Sequence, residues 1–101
     1  MYAMNHDLQQ MLDSVVDEET FIRFIEALAA DHADEVEKET VNPSSPYGPG
    51  ANGWENGTIE GFLESASSWA AESKNGHPSY DKPSNPWKRC ADILFMGKSY
   101  E

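Results

Sequence analysis

The sequence predicts an all-α fold: a compact bundle of three main helices plus a short N-terminal one, with long Pro/Gly-rich surface loops. Three observations carry this. Apolar residues recur at helical spacing in four separate stretches, and no strand-like alternation competes with them. Prolines and glycines cluster in two stretches between helices, where they break regular structure. At 101 residues the chain is one domain, spanning 1–101, with eleven aromatics to fill a single core.

The first helix is expected at 6–15, with Asn5 as its N-cap and Leu8, Met11, Leu12 and Val15 on one face. The second, expected at 18–38, has Asp17 as cap and Glu18 and Glu19 against the positive end of its dipole. Its inward stripe reads Phe21, Phe24, Ile25, Leu28, Ala29, His32 and Val36. Glu26, Asp31, Asp34, Glu35 and Glu37 then cover the opposite, solvated surface.

Between 40 and 57 the composition changes. Pro43, Pro46 and Pro49 alternate with serines and glycines, which forbids a continuous helix and predicts a mobile loop with Tyr47 as its single anchor. Thr58 caps the third helix, 59–73, whose inner face reads Ile59, Phe62, Leu63, Ala66, Trp69 and Ala70. Asn75-Gly76 stops it. After a second loop at 74–85, Asn85 caps the fourth helix, 86–96, with Pro86 in the favoured first position. Trp87, Cys90, Ala91, Leu94 and Phe95 form its inner stripe, Ile93 and Met96 its edge, and Gly97 terminates it.

Charge is the second guide. The formal balance is −11, and residues 7–39 hold eleven acids against Arg23 and Lys38, so −9 lies in the first third. Such a field repels nucleic acid and anionic membrane and attracts basic surfaces. Lys88-Arg89 beside Trp87 is too small a basic cluster to reverse it. No signal peptide and no membrane span is read, so the expected location is cytoplasmic. Asn56-Gly57-Thr58 is accordingly a turn rather than a glycosylation site.

Several residues form a recognisable block: Trp54-x-Asn56, Thr58-Ile59-x-x-Phe62-Leu63-Glu64, Trp69, and Trp87-Lys88 … Ala91-Asp92-x-Leu94 … Gly97-Lys98-x-Tyr100-Glu101. The pattern resembles a family of small, acidic, helical bacterial domains of unknown function that end in a similar Tyr-Glu. It covers residues 54–101 in two blocks, about half the chain, and leaves the proline-rich stretch at 40–53 outside. The resemblance implies a helical fold and supplies no catalytic residues. In physical terms Trp54 is placed to fold back on the start of the third helix like a hydrophobic staple. Tyr100 is placed to pin the C-terminus to the core.

Motifs for chemistry are thin. His32 with Asp31 and Glu35 offers too few ligands for zinc, and is read as a core or boundary histidine. The lone Cys90 permits no internal disulfide and is read as a buried, inert thiol. The glycines at 48, 50 and 53 lack the Lys-Ser/Thr of a phosphate loop. Ser65, Ser67 and Ser68 have no histidine in register. No catalytic, cofactor or metal residues are assigned.

The expected function is therefore non-enzymatic protein binding, in the manner of an inhibitor or immunity-type protein for a basic partner. The expected contacts are Glu26, Asp31, Asp34, Glu35 and Glu37, with Trp54, Trp87 and Tyr100 as a candidate aromatic surface. A housekeeping domain, or a small-ligand or metal-binding accessory protein built around His32 or an aromatic pocket, is the alternative.

Overall fold

Helix stop and start signals in the sequence correspond closely to the observed elements. The computed structural model describes residues 5–100, and side chains from Leu8 onward. Four helices follow in order: α1 (Asn5–Asp13), α2 (Glu18–Val41), α3 (Ile59–Ser73) and α4 (Pro86–Gly97). Among the described residues there is no strand, only one isolated bridge between His77 and Tyr80. Met1–Met4 and Glu101 lie outside the described residues, as do the side chains of Asn5 and His6, and with them the expected Asn5 cap and the terminal Glu101.

The caps account for the boundaries. The Asp17 side chain accepts from Thr20 N, and the Thr20 hydroxyl accepts in turn from Asp17 N, which closes a capping box. Nothing stops α2 at Lys38, and it continues until the residue before Pro43, where helical backbone is disfavoured. Thr58 accepts from Gly61 N at 3.0 Å, and Asn85 accepts from Trp87 N at 2.9 Å with Pro86 following. Gly76 takes φ +87° just past α3, the left-handed stop that Asn75-Gly76 predicts. Gly97 is the last residue of α4, close to the expected end, and a Cβ there would come within 3.0 Å of Phe62 Cε1 and Phe62 O, so it also permits close packing of α3 on α4.

Leu8, Leu12, Val15, Phe24, Leu28, Trp54 and Ala91 form the core, with Met11, Phe21, Phe62, Trp87, Leu94 and Phe95 packed around it. α1 packs on α2 and α4, and α4 packs on α2 and α3. Among the described residues no Cα of α2 comes within 8 Å of one in α3. That separation corrects two inner faces. Ile25, Ala29 and Val36 on α2, and Ile59 and Leu63 on α3, are exposed because α4 holds the two helices apart. Cys90 is exposed as well, since the partners of α4 cover the faces centred on Ala91 and Leu94 instead. Ile93 and Met96 are half-buried, at the edge of the core.

Candidate protein-binding groove

Past Leu28 the buried line of α2 changes chemistry. Phe24 and Leu28 continue into Asp31, which is fully buried, and Glu35, which is 7 % exposed. Their spacing of 4, 3 and 4 keeps one helix face inward, but the second half of that face is acidic. Asp31 Oδ2 accepts from Lys98 Nζ and from Trp54 Nε1, each at 2.8 Å. Asp31 Oδ1 has no polar partner among the described residues. Glu35 Oε1 accepts from Asn52 N at 2.9 Å and Trp54 N at 3.2 Å. Asp31 and Glu35 are therefore buried within the fold, contrary to the expectation that they cover the solvated surface of α2. An apolar-in rule cannot identify carboxylates whose partners come from distant segments.

The same acids reorganise the long connection. Asp34 accepts from Asn52 Nδ2 at 3.0 Å and Lys38 Nζ at 2.9 Å. Those two donors hold its carboxyl below the ordinary carboxylate value, the Asn52 amide contributing most. Glu39 accepts from Ser44 Oγ at 2.6 Å, Ser44 N at 2.7 Å and Ala51 N at 2.8 Å, and its carboxyl is lowered for that reason. The loop is thus tethered at both ends by α2 carboxylates. Tyr47, the expected anchor, is 96 % exposed.

Trp54 links the two blocks of the resemblance. Its ring packs 5.9 Å from Phe62, near the start of α3, as a staple would. Lys98 O accepts from both Glu55 N and Asn56 N, while Asn56 Nδ2 donates to Gly97 O and Tyr100 O. The Tyr100 hydroxyl donates to Glu72 on α3, so the C-terminal turn is pinned from two sides. Trp87 lies eleven residues from Lys98, about 16 Å away along α4, where its ring meets Phe21 at 5.5 Å. Trp54, Trp87 and Tyr100 do not converge into one aromatic surface.

What the fold does create is a groove. Trp54, Phe62 and Leu94 line it together with Ile25, Ala29 and His32 from α2 and Ile59 and Leu63 from α3, around a space of about 400 Å³. That volume falls within the range of ligand sites. Ile59 is 81 % exposed, Leu63 55 % and Ile25 40 %. Large apolar side chains standing in water around one concavity make it the candidate site of this fold. His32 sets its ring edge-on to Trp54 at 4.7 Å and lines this groove, while Asp31 and Glu35 point into the buried network. The His-x-x-Glu pair is therefore not assembled. Among the described residues no three His, Cys, Asp or Glu converge as a metal set.

Exposed acids stand next in sequence to the groove walls. Glu26 follows Ile25 on α2, Glu60 and Glu64 follow Ile59 and Leu63 on α3, and all three are exposed. Glu37 is exposed further along α2. Of the five expected acidic contacts only Glu26 and Glu37 stand fully in solvent. The groove-lining residues Ile25, Ile59 and Leu63 were assigned to the core. A signal for their other role existed: Ile22, Ile25, Ala29, His32 and Val36 form a second 3–4 spaced line beside the buried one.

A second concavity beyond α3 is lined by Trp69, Glu72, His77, Tyr80, Met96 and Tyr100. Trp69 and Tyr80 meet edge-on at 4.8 Å, and the Arg89 guanidinium already lies over both rings, at 5.2 and 5.7 Å. The Tyr80 hydroxyl donates to Asp92 at 2.7 Å, and its pKa is pushed up to about 12, chiefly by burial and then by that bond. This corner is occupied by its own contacts.

Among the described residues no helix is long and apolar enough to cross a membrane. No curated protein and no solved structure matches the chain. A family model matches residues 17–101, which spans α2 to α4 and both resembling blocks, and on that match the chain belongs to DUF7660, a family of unknown function.

Proposed function

We propose that this chain is a non-enzymatic protein-binding domain, acting in the bacterial cytoplasm, whose working surface is the α2–α3 groove and whose partner is basic. One observation carries the reading: an open apolar concavity is walled by Ile25, Ile59 and Leu63 on a chain of charge −11, and the exposed Glu26, Glu60 and Glu64, next to those walls in sequence, form its acidic rim in this reading. Apolar burial would supply affinity, and the rim would steer a cationic partner and reject nucleic acid. An inhibitor or immunity-type role against a cationic protein fits that combination.

The test is capture by a tagged copy at low and at moderate salt, beside a variant with Glu26, Glu60 and Glu64 changed to Gln. One basic protein retained at low salt, released as salt rises and lost by the variant, is the expected result. Retention that ignores both salt and the substitutions would overturn the proposal.

A further inference from the structure

We infer that the occupant of the groove is a single amphipathic α-helix with basic residues along its flanks. This rests on the binding reading above and adds the shape and chemistry of the partner.

The α2 wall argues for a helix. Ile22, Ile25, Ala29, His32 and Val36 recur at intervals of 3, 4, 3 and 4, the seam that receives the side chains of a second helix packed at a shallow angle. Ile22 is 47 % and Val36 53 % exposed, so the seam runs beyond the groove in both directions. It covers fifteen residues, about 21 Å, or four helical turns. Ile59 and Leu63, one turn apart, form the facing wall on α3. Because no Cα of α2 comes within 8 Å of one in α3, a helix laid there over Leu94 fills the one missing position between them. An extended segment would find no sheet edge among the described residues to satisfy its backbone, whereas a helix satisfies its own.

Charge selects among helices. Glu26, Glu60 and Glu64 are exposed one position after the wall residues Ile25, Ile59 and Leu63, the chain carries −11, and no Lys or Arg lines the groove. A second copy would bring −11 against −11 and set acidic rims face to face. Lys or Arg on the flanks of the incoming helix meets the rim, while its apolar line fills the floor.

The probe is a designed peptide of about five turns with Leu at 3–4 spacing on one face, Lys on both flanks and Ala or Gln elsewhere. It is titrated into the isotopically labelled full chain by NMR and by calorimetry. One comparison peptide has the same composition rearranged so that no apolar face forms. Another replaces every Lys by Gln. The expected result is saturable binding, with shifts confined to 22–36, 54–63 and the surroundings of Leu94. Affinity should fall at least about tenfold with the rearranged peptide, with the Gln peptide, or with Ile59→Gln/Leu63→Gln in the domain.

Equal binding of the rearranged peptide would overturn the helix while leaving a basic partner. Equal binding of the Gln peptide would overturn the charged flanks and the basic-partner reading with them. No binding of the Leu/Lys peptide would overturn the inference, and salt-sensitive capture of a basic protein by the same preparation would then place that partner elsewhere. A dimer of the chain alone that Ile59→Gln/Leu63→Gln dissolves would identify a second copy as the occupant, against the inference. Shift mapping on the unsubstituted chain keeps the test decisive if the double variant folds poorly.

Discussion

Lys98 at the end of α4 reaches Asp31 in the middle of α2, 67 positions earlier, and closes on Oδ2 at 2.8 Å with 9 % and 0 % of the two side chains exposed. The pair joins the longest helix to the last one at a point where the core is no longer apolar. Trp54 donates to the same oxygen, so one carboxylate holds α2, α4 and the start of the α3 segment together.

Removing one partner of this pair strands a buried charge. Asp31→Ala or Lys98→Met should each cost about 3–5 kcal/mol in urea unfolding. Asp31→Leu combined with Lys98→Met should cost less than the sum, because no lone charge is left behind.

Charge reversal along α2 separates buried from solvated acids. Glu26→Lys and Glu37→Lys should each change stability by about half a kcal/mol or less, as exposed positions do. Asp31→Lys should fail to give a cooperative thermal transition. Equal behaviour of all three would contradict the burial of Asp31.

Trp69 is only half-buried, yet it holds the Tyr80 ring edge and the Arg89 guanidinium. Trp69→Ala should destabilise by about 3 kcal/mol, the low end for aromatic truncation in cores. A change near zero would place the ring in solvent.

Replacing 45–49 by a Gly/Ser segment of equal length should cost little, because Tyr47 touches solvent and closure entropy is unchanged. Glu39→Ala should destabilise the protein more than that replacement, since Ser44 and Ala51 lose their acceptor. Matched chemical denaturation of the two variants distinguishes a loop held at its ends from one that is mobile throughout.

Acid should loosen these tethers. Asp34 and Glu39 titrate below their ordinary values of 3.8 and 4.5, so folding favours their charged forms. The resulting stability is fully present above those values and is lost as pH falls through the lower folded ones. Unfolding followed from pH 6 downward should steepen below about 4.5, and Asp34→Asn/Glu39→Gln should flatten that limb. At the alkaline end the sign reverses. Tyr80 is raised from 10.0 to about 12, so its contribution holds below 10 and fades as pH rises toward 12. Tyr80→Phe should remove that share of the alkaline loss.

Helix positions were legible because each is written locally. Asp17, Thr58 and Asn85 accept the first free N–H groups of their helices, and Pro43 and Gly76 close two of them. The two resembling blocks were visible as residues, but their contact was not, since Asn56 and Tyr100 are 44 positions apart. Tyr100 was expected against the core, and its hydroxyl instead donates to the exposed Glu72 on α3.

The sequence by itself determined four helices, the N-caps of the last three, the acidity of α2 and the two loops, because caps, prolines and apolar spacing act within a turn or two of chain. Which side of α2 is inside was decided only by the tertiary structure. The apolar line through Ile25, Ala29 and Val36 is the natural inner face, yet it stands in solvent beside an unfilled groove. The line through Asp31 and Glu35 is inside, because Lys98, Trp54 and Asn52 arrive with donors that compensate burial of the two carboxylates. Spacing along one helix cannot distinguish two parallel seams when the partners that choose between them lie at the far end of the chain.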